Sequence, residues 1–143
     1  MSLIVEGRVR RRLELTAAEL LELDEQVTDI AELVPGRSGG GVWLRSLLAA
    51  AGADDDARWA RLGSADGAFR ISVPLDALRE RGLVVYRLGD GDLPVDKGGP
   101  MRLFIVDVPE CGTAPLDACA NVKGLGRIEL SSDKLADVGH EPH

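Results

Sequence analysis

The sequence predicts an α+β domain of mixed, largely antiparallel small sheets with short helices. Three observations predict it. The apolar runs are short and bounded by glycine, proline and aspartate, as strands between turns are. Three stretches carry helix start or stop signals, and none is long. Strands and helices follow one another without the regular βαβ alternation of a parallel sheet. At 143 residues the chain has the size of one domain with a proper core. We expect that domain over residues 1–131 and a polar, frayed tail over 132–143. No internal repeat is visible.

The elements follow in order. Residues 3–15 alternate well enough for a strand or the arm of a hairpin. Thr16-Ala17-Ala18-Glu19 is a capping box, in which Thr16 accepts from the N–H of Glu19 and Glu19 reaches back. Leu20, Leu21 and Leu23 continue that short helix. Residues 27–34 are mixed, with a strand around Val27. Pro35-Gly36-Arg37-Ser38-Gly39-Gly40-Gly41 is a loop. Residues 42–51 read as a helix with Leu44, Leu47, Leu48 and Ala51 on one face, stopped by Gly52. Residues 59–62 and 68–73 read as strands around the turn Ser64-Ala65-Asp66-Gly67, whose Asp-Gly pair suits a hairpin. Pro74 opens a helix over residues 75–81, and Gly82 closes it. Residues 83–86 and 103–106 are buried-strand candidates, and residues 127–130 a last short strand.

Charge excludes several classes of partner. The net charge is −7, which argues against unspecific binding to nucleic acid or an anionic membrane. Aromatic residues make up 3% of the chain, too few for a base-stacking platform. No apolar run approaches the roughly 18 residues of a membrane span. The first residues, Met1-Ser2-Leu3-Ile4-Val5-Glu6, lack the basic-then-apolar order of a signal peptide, so the expected location is the cytoplasm. Residues 7–12 hold four arginines, and residues 13–33 hold seven acids and no base. The arginines could greet an anionic partner. The favoured expectation is that Arg8, Arg10 and Arg12 alternate on the wet face of an edge strand, where charge discourages aggregation.

The chain has two cysteines and two histidines. His140 and His143 sit in the tail, and Cys111 and Cys119 share one loop-like segment. Their spacing matches no common zinc pattern. A Cys-His or Ser-His-Asp pair would need a tail histidine in the core. The cysteines are most simply reduced thiols on a surface loop, or one local disulfide.

Asp96-Lys97-Gly98-Gly99-Pro100-Met101-Arg102 is the stretch with most chemistry. Gly98 and Gly99 carry no side chain to cover their amides, and such turns can form a small concavity for an anion. Arg102 offers a planar fork for phosphate or carboxylate, and Lys97 a mobile point charge. The alternative is a turn kept soluble by its flanking cations.

The order of motifs now carries a resemblance. It runs Gly41-Val42-Trp43-Leu44-Arg45-Ser46-Leu47-Leu48, then Ser64-Ala65-Asp66-Gly67 with Ile71-Ser72-Val73-Pro74-Leu75. Leu93-Pro94 follows with Gly98-Gly99-Pro100-Met101-Arg102, then Asn121-Val122-Lys123-Gly124-Leu125-Gly126-Arg127-Ile128-Glu129. The chain resembles the oxidoreductase molybdopterin-binding domain, the sulfite-oxidase-like family, over about residues 12–131. The resemblance implies a mixed α+β fold with a cleft for a molybdopterin cofactor. The family's His-Gly-x-Pro-x-Arg segment corresponds to Lys97, Pro100 and Arg102. Its Arg-x-Val-Lys segment corresponds to Ala120-Asn121-Val122-Lys123, with the lysine kept and the arginine lost. The resemblance thus gathers Lys97, Gly98, Gly99, Arg102, Asn121 and Lys123 as cofactor-binding residues. One departure is serious. The family's molybdenum ligand is a cysteine thiolate before Gly41-Val42, and residues 27–40 contain none. Ser38 is only a nearby hydroxyl. A soft thiolate secures molybdenum and tunes it for oxygen transfer, so molybdenum is not expected here.

Three functions compete at this level. One is a sulfite-oxidase-like domain that has lost catalysis and keeps a pocket for a pterin, a phosphorylated ligand or a small anion. The missing thiolate favours this reading and the scaffold reading over the enzyme, and this is the one adopted. The second is an active, small molybdopterin-dependent oxidoreductase. The third is a scaffold that meets a protein partner through its arginine run or acidic helix. Metal content separates the second from the others, and anion-dependent stabilisation separates the first from the third.

Overall fold

The computed structural model describes residues 2–139. Its strands are β1 (Leu3–Gly7), β2 (Leu13–Leu15), β3 (Gln26–Val27), β4 (Gly40–Trp43), β5 (Trp59–Ser64), β6 (Arg70–Pro74), β7 (Gly82–Leu88), β8 (Gly91–Asp92), β9 (Arg102–Ile105) and β10 (Leu125–Ser131). Its helices are α1 (Ala17–Leu21), α2 (Leu44–Ala51) and α3 (Leu75–Arg81). Short 3-10 turns cover Ile30–Glu32, Val95–Lys97 and Ala118–Ala120. His140 and His143 fall outside the described residues.

The strands form two five-stranded sheets. The first runs β2-β1-β10-β5-β6, with β1 parallel to β10 and the other pairs antiparallel. The second runs β3-β4-β7-β8, with β9 also paired to β7, all antiparallel. The fold class is the expected one: mixed, small-sheeted α+β. The β5–β6 hairpin turns at Asp66-Gly67, and the Thr16–Glu19 capping box is formed on both sides. Gly52 ends α2 with φ of 69°, a conformation that suits a residue without Cβ.

The main core lies between α2, α3 and the two sheets, with Leu3, Leu47, Leu62, Leu75, Val84, Leu103 and Ile128 fully buried. A smaller core of Val27, Ile30, Leu83, Val85, Leu93 and Phe104 fills the other face of the second sheet. Alternation along the strands places this division. Val84 faces the main core, and its neighbours Leu83 and Val85 face the smaller one. On β9, Leu103 and Ile105 join the main core, which sends Arg102 and Phe104 to the opposite face.

Three expectations are corrected. Helix α2 begins at Leu44, because Val42 and Trp43 are drawn into β4 by pairing with Gln26, Val84 and Leu83. The arginine run is no edge strand. Gly7 turns the chain out of β1 with φ of 91°, and Arg10 and Arg11 donate their N–H groups to Gly52 and Ala51 at the end of α2. Helix-end carbonyls lack intrahelical donors, so this loop supplies them. The beginning of the tail is also not frayed. Leu135 O accepts from Ser72 Oγ at 2.7 Å, Asp137 accepts from the Ser72 N–H at 2.8 Å, and Val138 bridges Arg70. This satisfies backbone groups on the free edge of β6.

Candidate functional site

The alternation on β9 sets the chemistry of the smaller core. Arg102 is 5% exposed, and its Cζ sits 3.9 Å from the centre of the Phe104 ring two residues on. Its Nη1 donates to the Lys97 carbonyl at 3.2 Å, and its Nε is buried without a partner. Burial is the main cause that pushes its pKa below the ordinary arginine value, and the charge of Arg37 adds to it. Arg37 stands over the same ring with its Cζ 5.5 Å from the centre. Both guanidiniums thus meet one aromatic ring, an arrangement that attracts each cation to the ring and repels one from the other.

Around them is a cavity of about 190 Å³, lined also by Ser38, Asp96, Lys97 and Lys123. Lys97, Arg102 and Lys123, expected together, are brought together. Among the described residues no carboxylate forms an ion pair with these three or with Arg37, although Asp96 is on the wall. The bond from Gly124 N–H to the Gly98 carbonyl, at 2.8 Å, holds the Lys123 segment against the turn.

The two glycines work differently from the expectation. Their amides are not free to cradle an anion: Gly98 N–H donates to Val95 O at 3.0 Å and Gly99 N–H to Pro94 O at 2.9 Å. A turn this tight closes its own hydrogen bonds. The glycines give room instead. Gly98 has φ of 90°, and a Cβ there would lie 2.9 Å from Arg102 Nη1 and 3.1 Å from Lys123 Cγ. A Cβ on Gly99 would collide with the Leu93 carbonyl. Asn121 is not on the cavity wall. Its Oδ1 accepts from the Ile105 N–H at 2.9 Å and fastens the following segment to β9.

Arg37 and Phe104 also line the cavity and were not among the residues the sequence pointed to. Arg37 lies in a glycine-rich loop, and a cation flanked by exposed backbone could have been singled out there. The segment over residues 27–40, from which the resemblance would bring a thiolate, brings Arg37 and Ser38 to the cavity. Both cysteines are elsewhere and bonded to each other, with Cα atoms 4.8 Å apart, and neither lines the cavity. The donor set therefore suits the hard, charged oxygens of an anion, and no thiolate lines this cavity.

Residues 39–137 match the profile of the oxidoreductase molybdopterin binding domain. Among solved structures, the sulfane dehydrogenase SoxCD from Paracoccus pantotrophus superposes with a TM-score of 0.68 at 18% identity. The match covers 94% of this chain and 39% of that one, so the chain spans about two fifths of its solved relative. No curated protein sequence matches. Among the described residues no helix is long and apolar enough to cross a membrane.

Proposed function

The chain belongs to the oxidoreductase molybdopterin binding domain family, and from that membership we propose that it is a non-catalytic member whose cavity holds an anion. The anion is a small oxyanion or the phosphate of a larger ligand. The observation that carries this reading is Arg102: a buried guanidinium with an unpartnered Nε and no carboxylate counter-charge. An unpaired buried charge is costly, and proteins generally pair it. An arriving anion would complete that pairing.

Size narrows the ligand. A cavity of about 190 Å³ is smaller than the roughly 300–1,000 Å³ of ordinary small-molecule sites. It suits a sulfate or phosphate group better than an entire pterin. In a phosphorylated pterin, Arg37, Arg102 and Lys123 would hold the phosphate and leave the ring outside. The metal that relatives' cofactors carry would supply redox chemistry, and no residue here offers it a thiolate.

The test is anion-dependent stability. Sulfate or phosphate should raise the melting temperature more than chloride at equal ionic strength. Arg102→Ala should abolish that excess. Arg8→Ala should keep it, since Arg8 is exposed and pairs with Asp56 at 3.7 Å, away from the cavity. Like behaviour of the two variants would sink the anion reading. Protein made in a host that builds the cofactor should carry far less than one molybdenum per chain. Stoichiometric molybdenum with oxygen-transfer turnover would overturn the non-catalytic part.

A further inference from the structure

Residues 106–124 lead from β9 out to the surface and back to the cavity. The outer part is a loop closed by the Cys111–Cys119 disulfide, eight residues apart. Asp117, itself buried, organises that loop. Its Oδ2 accepts from Gly112 N–H at 2.9 Å and Ala114 N–H at 3.3 Å, and its Oδ1 from Cys119 N–H at 3.0 Å. The returning part is a strap. Asn121 accepts from Ile105 N–H, Val122 O accepts from Leu103 N–H at 3.0 Å, and Gly124 N–H donates to Gly98 O. The first two bonds lie on β9 and the third on the turn before it, and together they place Lys123 on the cavity wall. Cys119 sits two residues before Asn121 and four before Lys123.

We propose that the Cys111–Cys119 disulfide is a redox latch on the anion cavity, holding the strap that presents Lys123. This rests on the anion reading above and adds a regulation to it. Cys111 is exposed, so a dithiol reductant can reach its sulfur. The reductant's thiolate attacks Cys111 Sγ, the S–S bond breaks, and Cys119 leaves as a thiolate that takes up a proton. The reductant's second thiol then displaces Cys111 from the mixed disulfide. Two electrons and two protons arrive in the protein, and the reductant leaves as its own cyclic disulfide.

Reduction does more here than open a ring. A carboxylate oxygen of Asp117 and both sulfurs lie within 4.8 Å of one another. While the disulfide is closed the sulfurs share a bond. Once reduced, they are two neutral thiols that must part to van der Waals distance, and they crowd one another and the Asp117 carboxylate. The loop relieves this by opening, which removes the N–H donors that hold Asp117. Asp117 also caps the 3-10 turn Ala118–Ala120, so that turn loosens and Asn121 loses its lead-in. The strap then holds Lys123 over the cavity for less of the time.

The experiment measures sulfate affinity of the whole chain by titration calorimetry, at fixed ionic strength, oxidised and after treatment with dithiothreitol. The reduced protein should bind sulfate several-fold more weakly. The double variant Cys111→Ser, Cys119→Ser should match the reduced protein and ignore the reductant. In Lys123→Gln, binding should be weaker and no longer differ between the two redox states. Equal affinities in oxidised and reduced wild type would overturn the latch and leave the anion reading intact. No sulfate binding by the oxidised protein would instead overturn the anion reading. A redox difference that survives in Lys123→Gln would overturn the route through Lys123. If the double variant does not fold, the reduced wild type decides the question alone.

Discussion

Two arginine-lined hollows can be compared. One is the cavity beside Arg102. The other lies on the outer face of the first sheet, where Arg61, Arg70 and Arg127 surround a floor at Gly63 and Gly126 in a space of about 300 Å³. By size and number of arginines the sheet hollow is the better candidate. Its charges say otherwise. Arg61 pairs with Glu129 at 2.7 Å, Arg127 pairs with Glu6, and Asp66 lies on the rim. The Arg102 cavity is smaller, yet its four cations have no ion-pair partner among the described residues. In the sheet hollow two of the three arginines are ion-paired, and only Arg70 is without an ion pair among the described residues; in the other, all four cations are without one and Arg102 is buried. What separates a surface dimple from a binding site is the unsatisfied group, not the volume.

Replacing the buried charge is the largest lever on that comparison. Arg102→Met keeps much of the packing over Phe104 and removes the charge. At sulfate about 100-fold above its dissociation constant, wild type should gain about 2.7 kcal/mol. The variant should gain none of it. Without anion the variant should be as stable as wild type or more so, by up to about 1 kcal/mol, because a buried unpaired charge opposes folding. The lowered pKa has the matching sign: below its folded pKa a buried base disfavours the fold, and that covers the whole accessible pH range. A pH titration would therefore not expose the cost, whereas urea midpoints of the two proteins would. A variant clearly less stable than wild type in chloride would mean that the ring contact and the Lys97 bond outweigh the burial cost.

The comparison can also be broken from the other side. Glu6→Gln combined with Glu129→Gln frees Arg127 and Arg61 while leaving the sheet intact. The sheet hollow should then acquire a weak sulfate response, worth about 1 kcal/mol or less, since these groups are only half-buried. The same two changes should cost about 0–1 kcal/mol each in chloride. If the double variant shows no new response, unpaired arginine alone is insufficient, and burial beside Phe104 is the essential difference.

The sequence made the elements and the cations legible, and the reason is local. Capping at Thr16, the stop at Gly52 and the turn at Asp66-Gly67 act within a few residues. The convergence of Lys97, Arg102 and Lys123 followed from the motif order. What it hid depends on distant partners. Val42 and Trp43 become strand only because Val84 and Leu83 lie beside them. The Arg8–Arg12 run leaves the sheet because the end of α2 needs donors. The amides of Gly98 and Gly99 are consumed by Val95 and Pro94, which no composition rule reveals. Arg37 enters the site through the fold of a loop that has no periodicity to read.

The smallest effect sits on the rim of the sheet hollow. Asp66 is fully exposed, and its carboxyl is held below the ordinary aspartate value of 3.8, first by the Ser64 hydroxyl and then by the Ala68 N–H. Those donors stand 2.7 and 2.9 Å away. Asp66→Asn keeps an oxygen acceptor for both donors and removes the charge, so it isolates electrostatics from turn geometry. A carboxyl whose folded pKa is depressed stabilises the fold above its unfolded pKa, and that contribution is lost as pH falls through the folded value. Wild type should therefore be slightly more stable than Asp66→Asn at neutral pH, with a gap that closes as pH falls below about 4. Full exposure keeps the gap small, and added salt should shrink it further. Thermal melts across that pH range, at two salt concentrations, test it. A gap that stays constant through acid pH would show that the asparagine disturbs the turn itself. The rim of the sheet hollow would then owe its shape to that one side chain.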